Sequence, residues 1–167
     1  MSSLLEIRNL TVTYRFQDRQ AAAVRALDLT IREGEKLAIV GESGAGKTTL
    51  VSAIMGLLPN SAEIEGKIFF REFQLNPRIL AKLRGKEIVL IPQNVHNSLN
   101  PVFSVGNQME DLLIEAKISP NRRRRIILDL LRKVRLPRPE VIPRSYPHQL
   151  SGGMKQRVLL AMGLSRS

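Results

Sequence analysis

Eight residues constrain this chain more than any others: Gly41-Glu42-Ser43-Gly44-Ala45-Gly46-Lys47-Thr48. They match the pattern Gly-x-x-x-x-Gly-Lys-[Ser/Thr] at every position, and the flanks fit as well. Residues 37–40 are a continuous apolar run ending in glycine, as in a strand buried on both faces. Residues 47–58 place Leu50, Ile54, Leu57 and Leu58 at helical spacing and close on Pro59-Asn60. Each part serves a chemical purpose. Glycines let backbone N–H groups converge on phosphate oxygens, and the helix start adds a positive partial charge. Lys47 is placed to reach the β- and γ-phosphates of a nucleotide. The Thr48 hydroxyl is placed to ligate Mg²⁺ together with phosphate and water. The plain alternative is a glycine-rich turn that binds nothing, and it leaves both flanks unexplained. The motif points to nucleotide binding without choosing the machine that uses it.

The rest of the chain supports a mixed α/β layout with a helical insertion. Residues 4–16 alternate around Leu5, Ile7, Leu10, Val12 and Tyr14, which predicts a half-buried strand. Leu27, Leu29 and Ile31 do the same before a turn at Glu33-Gly34. Glu65-Gly66 opens a further strand, residues 77–85 read as helix, and residues 87–93 form a second apolar run of buried-strand type. After Pro101 the pattern turns helical. Val105, Met109, Leu112 and Leu113 share a face behind a Ser104 cap, and Ile126, Ile127, Leu130, Leu131 and Val134 share another. Pro137, Pro139, Pro143 and Pro147 exclude a long helix over residues 137–149, after which helical spacing resumes at Val158, Ala161 and Met162.

Composition sets outer bounds. There is no cysteine, so no disulfide or cysteine-based metal site exists in the 167 residues. The two histidines, His96 and His148, have no partner at metal-ligand spacing and read as structural. No apolar run approaches the ~18 residues of a membrane span. The net charge of +11 is concentrated after residue 120, beginning with four consecutive arginines at 122–125. Three readings of that excess stay open: nucleic-acid binding, a face close to anionic lipid, or a solvated helix start.

A second motif, Leu150-Ser151-Gly152-Gly153-Met154-Lys155-Gln156-Arg157, is a turn opening a helix, where a hydroxyl and free backbone N–H groups make another anion site. The order of phosphate loop, then Ile91-Pro92-Gln93, then this signature resembles the ATP-binding subunit of ABC transporters over essentially the whole chain. Two segments are similar to the peptide and nickel importer branch: Ser98-Leu99-Asn100-Pro101-Val102-Phe103-Ser104-Val105-Gly106 and Ser145-Tyr146-Pro147-His148-Gln149-Leu150. Met154 also fits that branch, whereas residues 94–97 and the Thr48-Thr49 pair depart from its usual sequence.

The resemblance implies an α/β P-loop nucleoside-triphosphatase fold. Its parts would be an N-terminal β-subdomain with the phosphate-loop core over residues 1–100, a helical subdomain over 101–150 and a signature helix over 151–167. The core sheet would be partial and the C-terminal part missing. It implies ATP and Mg²⁺ as ligands. Residues 41–48 (Gly41, Glu42, Ser43, Gly44, Ala45, Gly46, Lys47, Thr48) and Thr49 would hold the phosphates. Tyr14 would stack on adenine, with Phe16 the alternative. Gln93 would contact Mg²⁺ or the attacking water, with Thr48 as the other metal ligand. Ser151, Gly152 and Gly153 would clasp the γ-phosphate of ATP held by a second subunit, in a head-to-tail dimer. Gln156 and Arg157 would touch that subunit or lie on a solvated face.

The implied partners are therefore a second ATP-binding subunit, membrane permease subunits and, indirectly, a solute-binding protein. The implied location is the cytoplasmic face of the cell membrane, held peripherally. The family next has an Asp-Glu pair ending an apolar strand, and later a switch histidine. No Asp or Glu follows Glu140 here, so the expectation is a chain that does not hydrolyse ATP alone and that needs another chain to complete its sheet. The expected function is an energising subunit, or a fragment of one, for import of oligopeptides or nickel-type solutes. The alternatives are a soluble ABC ATPase acting on nucleic acid, and a non-functional product of an interrupted gene. The importer segments weigh against a nucleic-acid partner.

Overall fold

A computed structural model describes residues 3–17, 19–95 and 97–165. The chain divides into two units, Met1–Arg84 and Gly85–Ser167.

The first unit is built on an antiparallel sheet with strand order β2-β1-β3-β4. Strands β1 (Ser3–Phe16) and β2 (Arg19–Arg32) form a long hairpin. Strand β3 (Ala62–Phe70) pairs with the other edge of β1, and the short β4 (Phe73–Gln74) pairs with β3. The apolar alternation of β1 buries Leu5, Ile7, Leu10 and Val12 on one face, as expected. The step from Ile7 to Leu10 is three residues, where strict alternation requires two. The ladder absorbs the extra residue in a bulge: Arg8 faces Lys67, but Thr11 already faces Glu65. Asn9 takes φ 49° there and donates its N–H to Asp28 Oδ1 at 2.8 Å. Gly66 lies opposite, and a Cβ at that position would fall 2.3 Å from the Asn9 carbonyl oxygen. Glycine is therefore required where the bulged backbone crosses β3.

Helix α1 (Lys47–Met55) buries Leu50, Ala53 and Met55. It ends three residues before the stop read from sequence. Gly56 adopts the left-handed conformation, its N–H bonds to Ala53 O, and Leu57 N–H turns back to Ser52 O at 2.8 Å. Strand β3 begins at Ala62, ahead of the Glu65-Gly66 start expected. Helix α2 (Pro77–Leu83) is capped by the Asn76 side chain, which accepts from Ile79 N–H.

The second unit is helical. Helices α3 (Val105–Glu115), α4 (Pro120–Lys133) and α5 (Gly152–Leu164) enclose a core of Val105, Met109, Leu113, Ile127, Leu131, Val158 and Ala161. The Ser104 hydroxyl caps α3 by accepting from Asn107 N–H at 3.2 Å, as expected. The proline-rich stretch forms two short 3₁₀ turns, Ile142–Arg144 and Pro147–Gln149. Gly106 packs so closely on the first turn that a Cβ there would lie 2.6 Å from Pro143 O.

Two expected strands do not join a ladder. Residues 37–40 carry no strand pairing, and Leu37, Ile39 and Val40 are exposed, Val40 to 88%. Residues 89–91 likewise form no strand. Val89 and Leu90 are exposed, although Val89 and Ile91 lie against α5 around Gly163. Apolar residues at successive positions suit a strand flanked by neighbours and covered on both faces. Among the described residues, neither run has such neighbours.

Candidate nucleotide site

The phosphate loop lies in the first unit and closes into helix α1. Ala45 N–H reaches back to Glu42 O at 3.2 Å, and Leu50 N–H begins the helical ladder on Gly46 O at 2.8 Å. Gly46 has φ 79°, and a Cβ there would lie 2.1 Å from the carbonyl oxygen of Ala23 on β2. The loop is thus seated on the sheet at a point where only glycine fits. Lys47 curls over the loop, with Nζ donating to Gly41 O at 2.8 Å and Glu42 O at 2.6 Å. The ammonium is held by two loop carbonyls, which keeps its positive charge at the loop. Thr48 is exposed at the second position of α1. Gly41, Glu42, Ser43 and Gly44 are exposed along the loop.

The aromatic candidates adjoin this helix. The Tyr14 hydroxyl lies 3.3 Å from Thr49 Oγ1, and the Tyr14 and Phe16 rings stack at 6.2 Å with 29° between planes. Tyr14 is half-buried, whereas Phe16 is 63% exposed. The pair forms one two-ring platform with its buried end tied to the residue after Thr48. Nothing in the spacing of the sequence signalled the Tyr14–Thr49 link, which joins residues 35 apart.

The other candidates lie in the second unit. Ser151 caps α5, its hydroxyl accepting from Met154 N–H at 3.3 Å, and Lys155 N–H bonds to Ser151 O at 2.9 Å. Gly152 and Gly153 occupy the first turn, where backbone N–H groups precede the helical ladder. Both are exposed, and a Cβ on either would meet nothing within 4 Å. Packing within the chain therefore does not explain why these residues are glycine. The turn is held from below by buried Pro147 and Leu150, and Tyr146 N–H donates to Gln149 Oε1 at 2.7 Å. Gln93 is exposed in the segment after the second apolar run. His148 stacks on Tyr146 at 5.8 Å, while His96 lies outside the described residues. Arg157 is committed within its own unit, donating to Arg135 O at 2.6 Å, whereas Gln156 is exposed.

Among the described residues no group of three His, Cys, Asp or Glu side chains is placed to hold a metal. The donors at the loop suit instead a cation carried in with a nucleotide. The exposed Thr48 hydroxyl would be one hard oxygen ligand, and phosphate and water would supply the others.

A family model described as ABC transporter matches residues 24–167. The chain belongs to the ABC transporter family. It is similar to the oligopeptide transport ATP-binding protein OppD of Lactococcus lactis subsp. cremoris, 38% identical over 168 residues that cover 98% of this chain and 50% of that protein. It is 41% identical to the oligopeptide transport ATP-binding protein AppD of Bacillus subtilis, across 99% of this chain and 52% of that protein. The glutathione import ATP-binding protein GsiA of Pectobacterium atrosepticum is 38% identical, with 97% of this chain and 28% of that protein aligned. The chain thus spans about half the length of the first two of these relatives. Its fold is similar to a solved dimeric bacterial ABC transporter cassette, with TM-score 0.81 and 30% identity over 97% of this chain and 69% of that one. A dimeric post-hydrolysis cassette bound to ADP and Pi matches equally well. The peptide-importer resemblance drawn from residues 98–106 and 145–150 is borne out by these relatives. None of those named here is a nickel transporter. Among the described residues no helix is long and apolar enough to cross a membrane.

Proposed function

We propose that this chain is the nucleotide-gripping part of an ATP-binding subunit that energises import of peptides. The observation that carries the reading is the phosphate loop, with its Lys47 ammonium held by two loop carbonyls at the mouth of helix α1. In this reading the backbone N–H groups of residues 41–48 wrap the β- and γ-phosphates, and Lys47 exchanges its carbonyl partners for phosphate oxygens. Adenine stacks on the Tyr14–Phe16 platform, which the Thr49 contact sets beside the loop. Thr48 would hold Mg²⁺ together with the phosphates and water. The chemistry such an ion would supply is offset of the phosphates' negative charge.

The signature supplies the second grip. The Ser151 hydroxyl and the Gly152 and Gly153 amides present donors on an open surface, where a phosphate held by another subunit approaches without meeting a side chain. The partners are then a second ATP-binding subunit and membrane permeases fed by a solute-binding protein, with the subunit peripheral on the cytoplasmic face. Peptides are the solute class, on the strength of the OppD and AppD relatives.

Titration of the chain with a fluorescent ATP analogue tests the loop. Lys47→Ala removes the one cationic side chain of residues 41–48 and is expected to weaken binding by at least tenfold, about 1.4 kcal/mol. Equal affinity in the two proteins, both shown folded by circular dichroism, would sink the reading.

A further inference from the structure

The charge excess has a location. Residues 101–167 hold thirteen Lys or Arg against five Asp or Glu. Six of the thirteen are on α4, which is fixed in orientation because Ile127 and Leu131 are buried beneath it. At 3.6 residues per turn, Arg122, Arg125, Arg132 and Lys133 fall together on the side opposite those two residues. All four are exposed, Arg125 to 88%. One carboxylate lies among them, Asp129, and it is shared by Arg125 at 3.8 Å and Arg132 at 3.3 Å. Arg135 and Arg138 follow directly, both exposed, in positive-φ turns that extend the basic surface beyond the helix end. By contrast Arg123 is drawn inward to Ile118 O and Glu110 and takes no part.

We infer that this outward face of α4 is a docking surface for anionic phospholipid headgroups. The face is a line of charge along a helix lying on its unit, matched to a planar array of phosphates. Clusters of four to eight basic residues on a helix bind such surfaces. Single-stranded nucleic acid is served by aromatic rings that stack on bases, and none exists between Pro120 and Val141. The surface shares no residue with the phosphate loop or the signature.

The test is co-sedimentation of the chain with phosphatidylcholine vesicles, with and without phosphatidylglycerol. The expected result is binding that requires phosphatidylglycerol and is released by salt. Each basic residue near such a surface is worth about fivefold, so Arg122→Gln with Arg125→Gln is expected to weaken binding roughly 25-fold. The same loss of charge on strand β2, Arg19→Gln with Arg25→Gln, is expected to leave it unchanged. Asp129→Asn removes the carboxylate shared by Arg125 and Arg132 and is expected to strengthen binding. Circular dichroism confirms that each variant is folded. Equal binding to both vesicle types overturns the inference, as does equal weakening by the β2 pair. Tighter binding to duplex DNA than to vesicles, with the same Arg122 and Arg125 dependence, overturns it in favour of nucleic acid.

Discussion

Gly152 and Gly153 make opposite predictions for stability and function, which lets one substitution separate the two. Both lie in the first turn of α5, and a Cβ on either would meet nothing within 4 Å. Alanine is favoured over glycine in a helix by about 0.8–1.0 kcal/mol, because glycine loses more backbone entropy on folding. The first turn realises only part of that difference. Gly152→Ala and Gly153→Ala are therefore each expected to stabilise the second unit, by roughly 0.3–1 kcal/mol. In the proposed function the same methyl stands where a phosphate held by another subunit must approach. A 1.4 kcal/mol loss is tenfold in binding, and blocking the approach of a charged oxygen costs more than that.

The assay has two arms. Urea denaturation followed by far-UV circular dichroism reads stability, and the expected midpoints move up. ATP-dependent self-association, read by analytical ultracentrifugation, is expected to fall at least tenfold. A drop in stability of more than about 0.5 kcal/mol would show that the fold itself requires these glycines. Unchanged association in a wild-type chain that does associate would show that phosphate does not approach there. In either case the argument from open space fails.

At Gly46 the expected outcome reverses. Its φ of 79° and the 2.1 Å approach of Ala23 O mean that Gly46→Ala should cost more than about 2 kcal/mol, whereas Gly44→Ala, with φ 85° and open space, should cost only ~1 kcal/mol in the same denaturation assay. Equal losses would show that the seat on β2 is not what selects glycine. The hydrogen bond from Arg8 holds the Glu6 carboxyl below its ordinary range, with direct charge attraction also lowering it and desolvation opposing. A lowered folded-state value means that the contribution to stability is present above the unfolded value and is lost as pH falls through the folded one. Carboxyl-resolved NMR titration should find the Glu6 midpoint moved up in Arg8→Gln, and an unmoved midpoint would remove Arg8 as the cause. Hydrogen exchange should find amides within β1 protected and those of residues 37–40 exchanging close to the free rate, since only the former carry ladder bonds. Protection of residues 37–40 comparable to β1 would contradict the absence of pairing.

The elements that carry their own instructions were readable. Strand β1 needed only its alternation, helix α3 its Ser104 cap and apolar face, and α4 its buried Ile127 and Leu131. What escaped depended on a second stretch of chain. The three-residue step from Ile7 to Leu10 is visible in the sequence, but it becomes a bulge only because Asp28 takes the Asn9 N–H and Gly66 yields space opposite. Helix α1 stops at Gly56 although Leu57 and Leu58 continue the apolar pattern, because a glycine in the left-handed conformation closes the last turn more locally than the proline beyond it. The phosphate loop was read from its spacing and flanks, and the signature from its place after the loop and residues 91–93. The contacts that hold the loop, Gly46 on Ala23 and Tyr14 on Thr49, were not, since they join the loop and α1 to strands far away in sequence.

One of the two apolar runs that form no ladder connects the fold to the site. Residue 40 ends one run, and Gly41 begins the phosphate loop. On its far side the loop is held by Gly46 against β2, by the first bond of α1 and by the Tyr14–Thr49 contact. On its near side it is continued by residues 37–40, which carry no strand pairing. Fixing the backbone of a residue costs about 1–2 kcal/mol, so a nucleotide that must order these four residues as it binds gives up several kcal/mol of its affinity. A neighbouring strand that pairs with the run meets that cost in advance, and the nucleotide then binds more tightly. Linkage makes the effect reciprocal: bound nucleotide strengthens the pairing by the same factor that pairing strengthens nucleotide binding. The exposed Leu37, Ile39 and Val40 add apolar surface whose burial favours that pairing. In the proposed function, a neighbouring strand that pairs with residues 37–40 would therefore raise nucleotide affinity beyond what the eight residues of the loop supply.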